Sequence, residues 1–319
     1  MTNRSILSHI ATDRSLLLIG LIAFLVAVMA IARPDTFPTS GNAAVVLLDT
    51  AQTGILACGM MVLMISGVFD LSIGGILAFS GIIAALCAKV LGFPPLPAFL
   101  AGCMWGVFLG AINGVLVTRF KINALIATLA TLSIYRGGLQ LVSGSGVTNI
   151  GNGYTVFGQT QILGIYSPFW FMAVVVLVFW FLVGQTRYFR QAYYIGGNAR
   201  AAKLSGINVD RTVFSFFLIM GFLAGMAGAL LASRLNTAVV LAGQGVELKV
   251  ITAVVLGGAS LAGGMGTIHG AFLGVLFMAL LQNSMIIAGI NPFWQLIVVG
   301  FVLLASVGLD QFARSNSRA

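Results

Sequence analysis

Charge is what this 319-residue chain has least of: Asp, Glu, Lys and Arg together make up 7% of it. Ordinary soluble domains carry about 25%, so with 59% hydrophobic residues a water-soluble globule is excluded. Acids are the scarcer sign, seven against sixteen Lys and Arg, for a net charge of +9. The basic residues lie in the gaps between apolar blocks, where they orient membrane proteins, and this argues against nucleic acid as a partner. Cysteine is scarce too. Cys58, Cys87 and Cys103 each sit inside an apolar block and form no CxxC, which excludes a disulfide framework and a cysteine metal site. They read as small core hydrophobes. His9 and His269 stand far apart and outside any ligand cluster. There is no GxxxxGK[ST], no HExxH and no GxSxG. The chain therefore binds no ATP through a P-loop and is expected to be no enzyme, with no cofactor of its own.

What is there is apolar. Ten blocks stand out, at 15–32, 43–66, 71–91, 96–118, 122–142, 168–184, 212–233, 246–263, 268–288 and 293–309. Most approach the ~20 residues that cross a bilayer as a helix. The fold class is thus an all-α polytopic membrane protein of about ten transmembrane helices, one domain over 1–319. The first block follows Arg4 and Arg14 and ends in Ala30-Ile31-Ala32, like a signal-peptidase site. It is long for a signal peptide, so a retained span is expected. Ten spans with both termini cytoplasmic put Arg4, Arg14, Arg119, Lys121, Arg187, Arg190, Arg200, Lys203, Arg211, Arg314 and Arg318 inside. Arg33, Lys89, Arg136, Arg234 and Lys249 fall outside or within spans. This is the bias of the positive-inside rule.

The two halves, 15–142 and 168–309, look related. Asp70-Leu71 opens the third block and Glu247-Leu248 the eighth; Asn113 and Asn283 lie late in the blocks that follow. Ile122-Asn123 and Ile290-Asn291 open the fifth and tenth. The halves start on opposite sides, so the expected 5+5 repeat is inverted, as in transporters.

Small residues recur at helical spacing: Gly102, Gly106, Gly110 and Gly114; Gly221 and Gly225; Gly266, Gly270 and Gly274. Such ridges let helix backbones approach closely, which we prefer to a pore lining. Asp70, with Ser72 beside it, and Glu247 stand at span edges among glycines. Each reads either as a helix cap or as a group on the path of the solute. Asn113, Thr128, Thr131, Gln282, Asn283 and Gln295 read either as interhelical hydrogen bonds or as path lining. Arg136, deep in the fifth block, must face protein or water, and Asp49 or a backbone carbonyl could pair with it. The glycine-rich run Gly257 to Gly266 reads as a helix end and a tight turn at the membrane surface.

Between two apolar blocks lies the longest polar run, Gln185 to Thr212, with five basic residues and one acid, Asp210. Within it Asn198 suits an N-cap, Ala199 to Ser205 a short helix, and Gly206 the left-handed residue after its end. Such a loop serves as an orientation signal and as a docking element for a cytosolic partner.

Three motifs carry a resemblance. They are Gly67-x-x-Asp70-Leu71-Ser72-x-Gly74, Gly196-Gly197-Asn198-x-x-Ala201-Ala202-x-Leu204-x-Gly206-Ile207-x-Val209, and Val255-Leu256-Gly257-Gly258-x-Ser260-Leu261-x-Gly263-Gly264-x-Gly266. From about residue 43 to 310 the chain resembles the permease subunits of bacterial ABC importers for ribose, arabinose, xylose and related small sugars. Ile122 to Ile126 and Asn291-Pro292-Phe293 look closest to the arabinose branch. The resemblance implies a homodimer in the bacterial inner membrane. It implies a cytosolic ATP-binding subunit with two P-loop domains, which holds ATP and Mg and grips Gly196, Gly197, Asn198, Arg200, Ala201, Ala202, Leu204, Gly206 and Ile207. It also implies a periplasmic sugar-binding protein that selects the sugar, with 143–167 and 234–246 as docking segments. Arg200 departs from the family's frequent glutamate, so no ion pair to the ATPase is expected there. The competing reading is an ion-coupled secondary carrier or channel worked through Asp70 or Glu247.

Overall fold

A computed structural model describes residues 14–151 and 153–318, with side chains for 15–151 and 153–308. The predicted cytoplasmic N-terminus with Arg4, and the side chains of Arg14, Arg314 and Arg318, lie outside the described residues. The chain runs through α1 (Arg14–Ala32), α2 (Ser40–Ile65), α3 (Ile73–Lys89), α4 (Pro95–Thr118) and α5 (Ala124–Ser143). A link follows, holding β1 (Gly146–Thr148), α6 (Val156–Gln159), β2 (Gln161–Ile162) and β3 (Ile165–Tyr166). The second half holds α7 (Ser167–Gln185), α8 (Arg187–Gly197), α9 (Ala199–Leu204), α10 (Val209–Leu235), β4 (Thr237–Val239), α11 (Val246–Leu256), α12 (Ile268–Ile287) and α13 (Pro292–Arg318).

Seven of these helices, α1, α2, α4, α5, α7, α10 and α12, are long and apolar enough to cross a membrane. Every one of the ten apolar blocks contains a helix, but three fall short of that length. The apolar parts of α3 and α13 are Ile73–Lys89 and Pro292–Gly308. The eighth block, expected as a span over 246–263, is helical for only 11 residues. At ~1.5 Å per residue α11 rises about 16 Å, roughly half the hydrocarbon thickness. Its end is set by glycine: Gly258, Gly263 and Gly264 have φ of 97°, 87° and 76°, conformations a helix cannot continue through.

Two of the expected crossings are therefore entered through non-helical backbone. After α2 the chain passes through Ser66–Ser72 without helical structure before α3 begins. Before α11 it turns through residues 240–245. The first turns of α3 and α11 meet inside the bundle, where a Cβ added to Gly74 would lie 2.6 Å from Glu247 Oε2.

The densest seam runs between α4 and α10. A Cβ on Gly106 would fall 2.7 Å from the Cα of Gly225, one on Gly110 would fall 2.9 Å from the Cα of Gly221, and one on Gly225 would fall 2.8 Å from the carbonyl oxygen of Gly102. The spaced glycines are thus a packing device, as the sequence suggests. Helix packing repeats across the halves. α3 packs on α4, α5 and α10, and α11 packs on α12, α13 and α2. α4 packs on α10 as α12 does on α2.

One end of the bundle is closed by structure that hydropathy does not reveal. β1 pairs antiparallel with β4, Gly146 opposite Val239 and Thr148 opposite Thr237, and β2 with β3. Residue Asn236 ends α10 at φ 50° and its side chain accepts from Gly151 N at 3.0 Å. Ser233 Oγ donates to Tyr154 O at 2.6 Å, and Lys89 Nζ to Thr148 O at 2.5 Å. Segments 143–167 and 234–246 thus form one surface.

Leucine at Gly106 or Gly221 is expected to force α4 and α10 apart, costing about 1–3 kcal/mol or more. The same change at Gly20, where nothing lies within 4 Å, is expected to be tolerated. Thermal unfolding in detergent checks this; equal melting of Gly106→Leu and Gly20→Leu would refute the seam.

Candidate functional site

The start of α3 is built around a buried carboxylate. Asp70 is wholly buried, and its Oδ1 accepts from the backbone N–H of Ser72 at 2.8 Å and from Ser72 Oγ at 2.7 Å. Asn113 of α4 donates its Nδ2 protons to Asp70 Oδ2 at 3.1 Å and to Ser72 Oγ at 2.7 Å. Tyr135 of α5 completes the set, donating to Leu109 O at 2.8 Å and lying 3.2 Å from Asn113 Oδ1. Asp70, Ser72 and Asn113, singled out from sequence, are thus one cluster, and Tyr135 is its unforeseen member. The carboxylate closes a turn that lets a helix begin within the bundle. The N-cap of α3 is Ser72, whose side chain caps no helix N–H; Asp70 is held instead by Ser72 and Asn113.

Glu247 is placed differently. It lies in the first turn of α11, where the positive end of the helix dipole favours an acid. The N-cap, Gly245 at φ 74°, has no side chain to cap with, and Glu247 Oε2 is buried without a hydrogen-bond partner. Arg136 approaches the same place from α5. Its Nη1 donates to the carbonyls of Val240 at 2.9 Å and Ala242 at 2.8 Å. Of the two partners considered for Arg136, the carbonyl is correct; Asp49 is taken by Lys249 Nζ at 2.9 Å. Asn283 does not join Glu247, as a strict repeat would have it, but donates to Asn42 Oδ1 at 2.7 Å.

At the end of the bundle opposite β1 and β4 stands the polar run. It holds two helices rather than one. Phe189, Ala192 and Ile195, three apart, are buried and seat α8 on the bundle. The five basic residues of the run mask this stripe in a reading by composition. α9 is capped as expected: Asn198 Oδ1 accepts from Ala201 N at 3.0 Å, and Gly206 follows at φ 87°. Ile207 N returns to Ala202 O at 3.1 Å. The helix ends at Leu204, with Ser205 as its cap. Arg200, Ala201, Lys203 and Leu204 face outward, Leu204 86% exposed, whereas Ala202 is 4% exposed and packs inward.

The three motifs meet here. Gly264 N donates to Ile65 O at 2.8 Å. A Cβ on Gly263 would fall 2.8 Å from the Cα of Gly67 and 3.0 Å from that of Gly196. Tyr193 OH donates to Gly266 O at 2.8 Å. The α2–α3 turn, the α8–α9 turn and the α11–α12 turn therefore touch backbone to backbone, which Gly196, Gly197, Gly263 and Gly264 permit. The left-handed φ values of Gly67, Gly263 and Gly264 and the close backbone contacts of Gly196 explain why glycine clusters at those three places in the sequence.

The chain is similar to known proteins along most of its length. The model of a family described as "Branched-chain amino acid transport system / permease component" matches residues 42–307. The ribose import permease of Bacillus subtilis (strain 168) is 40% identical over 293 residues, 90% of this chain and 89% of that protein. The ribose import permease of Escherichia coli (strain K12) is 36% identical over 293 residues, 90% of each chain. The L-arabinose ABC transporter permease of Azospirillum brasilense is 37% identical over 301 residues, 92% of this chain and 87% of that protein.

Asn113→Ala removes two donors and one acceptor from a buried carboxylate cluster. It is expected to destabilise by about 1–3 kcal/mol, read as a lowered Tm in detergent. An unchanged Tm would show that Asp70 needs no neutral donor from α4.

Proposed function

The chain belongs to the family of branched-chain amino acid transport permease components, and from that premise we propose that it is the membrane-spanning subunit of an ATP-driven importer for a small sugar of pentose or hexose type. Ribose and L-arabinose are named for relatives that align over about 90% of this chain. The observation that carries the reading is the junction of Gly67, Gly196–Gly197 and Gly263–Gly264. It fastens a capped, outward-facing helix to the ends of two broken spans, one in each half. A soluble motor that pushes α9 acts on both halves at once.

In this reading the chain makes ten crossings of the bacterial inner membrane with both termini and 185–212 in the cytosol. α3 crosses with Ser66–Ser72, and α11 with 240–245. The matched packing of α3 and α11, and of α4 and α12, supports an inverted 5+5 repeat over 15–142 and 168–309. ATP and Mg belong to a cytosolic subunit with two P-loop domains, which grips Arg200, Ala201, Lys203 and Leu204. A periplasmic sugar-binding protein docks on the surface formed by 143–167 and 234–246. A second copy of the chain covers α5, whose polar Ser133 and Gln140 are exposed and whose Gly137 allows close helix approach. This chain itself catalyses nothing.

Two experiments test this. In proteoliposomes with its partner subunits, the complex is expected to accumulate ribose or arabinose rather than leucine. Vanadate should stop uptake, and collapse of the proton gradient should not. The opposite response would favour an ion-coupled carrier. Single cysteines at Ser145 and Asn208, in a protein lacking Cys58, Cys87 and Cys103, are expected to react with an impermeant thiol reagent from opposite sides, 145 from outside.

A further test concerns α9. Ala202 faces inward, so a large residue there disturbs the fold of the loop. Leu204→Asp, on the exposed face, and Gly206→Val, at a positive φ that costs on the order of 1 kcal/mol, are expected to leave insertion intact and cut uptake at least tenfold. Normal uptake by both variants would reduce the loop to an orientation signal.

A further inference from the structure

Segment 240–245 is backbone without helix or strand between β4 and α11, with Val240 buried and Leu241 and Gln244 exposed. Two of its carbonyls share one side-chain partner. Arg136 Nη1 donates to the carbonyls of Val240 and Ala242 at 2.9 and 2.8 Å. The other arm of the guanidinium, Nη2, is buried and makes no hydrogen bond, and so is Glu247 Oε2. Both face the bare Cα of Gly74. A Cβ built there would lie 2.6 Å from Glu247 Oε2 and 3.4 Å from Arg136 Nη2. No ion pair joins the two among the described residues.

We propose that Arg136 is the pin of the outward gate: it holds segment 240–245 across the solute's route, and Glu247 is the partner it takes when that segment moves aside. This rests on the reading of the chain as an importer. The arrangement is that of a two-position latch. Arginine has a planar fork of donors, so one arm can leave two carbonyls while the other gains a carboxylate, with no movement of α5. A released guanidinium is not stranded in a low dielectric, because an unpaired carboxylate waits beside it. Gly74 leaves the space between them clear of side chain. The latch also connects with the outer surface. Segment 240–245 continues from β4, and β4 pairs with β1 on the face proposed for the sugar-binding protein. A docking event that shifts the β1–β4 pair pulls on the pinned carbonyls directly. Arg136 is in this sense a positioning residue, which acts through backbone it holds.

The test uses the whole complex and the permease alone in liposomes, with radiolabelled ribose and arabinose as probes and sucrose as a size control. Arg136→Gln is expected to admit the pentoses downhill, without ATP or binding protein, at least tenfold faster than wild type. Arg136→Lys, which cannot hold both carbonyls in one plane, is expected to leak less. Glu247→Gln keeps the pin in place and removes its second partner. It is expected to stay tight, to hydrolyse ATP in response to the binding protein, and to lose at least tenfold in uptake. Tight Arg136→Gln vesicles overturn the proposal, as does wild-type uptake by Glu247→Gln. Val240→Cys, at a side chain buried in this structure and in a protein lacking Cys58, Cys87 and Cys103, gives a readout independent of Arg136 substitutions. An impermeant maleimide should label it at least tenfold faster during turnover than at rest, and equal rates would overturn the moving segment. If the wild-type complex carries neither pentose under any condition, the fault lies with the assigned substrate class and not with the pin.

Discussion

Contact of backbone with backbone is the interaction on which this molecule depends. In a bilayer, helices gain nothing from hiding apolar side chains from one another, since lipid is equally apolar. What remains is close van der Waals packing, and glycine gives the closest. The α4–α10 seam uses it along two full helices, and α11 is held to α12 in the same way through Gly257, Gly270 and Gly274. At the bundle end three turns that are remote in sequence touch at Gly67, Gly196 and Gly263. A side chain at these points would force the three turns apart.

Breaking two spans has electrostatic consequences that the structure resolves in two different ways. At α3 the acid is buried and fully bonded, so Asp70, Ser72, Asn113 and Tyr135 form a closed set. At α11 the acid has a free oxygen and the nearby arginine a free nitrogen. Tyr135 and Arg136 are neighbours on α5, one serving each broken helix. The halves are alike in packing and unlike in charge. One start is fixed, and the other retains unspent hydrogen-bonding capacity next to a segment of irregular backbone.

Much of this was legible in the residues. Block lengths locate ten helical stretches, because a span needs a long apolar run. Asn198 and Gly206 mark the ends of α9 because local cap chemistry does not wait for tertiary structure. The four-residue glycine spacing announces α4 as a packing face. Other features depend on information that a single sequence hides. α8 is concealed because its buried stripe, Phe189, Ala192 and Ile195, is narrow and set among arginines and tyrosines. Hydropathy merges α11 with the glycine turn after it, so a half-span reads as a whole one. Partners such as Asn42 for Asn283, or two carbonyls for Arg136, depend on how elements far apart in the chain are brought together. The inward face of Ala202 is likewise a matter of how α9 docks.

The half-length of α11 also bears on how the protein is made. Eleven helical residues are too few to partition into a membrane by their own apolarity during synthesis. The segment has to be drawn in after α10 and α12 flank it, against a bundle already assembled from the first half. Its carbonyl partner Arg136 emerges from the ribosome about a hundred residues earlier and waits as an uncompensated cation inside the nascent bundle. The same guanidinium that holds segment 240–245 thereby rewards its late arrival. Chains stalled or truncated before α11 would expose that buried charge, a mark by which membrane quality control can tell an unfinished protein from a finished one.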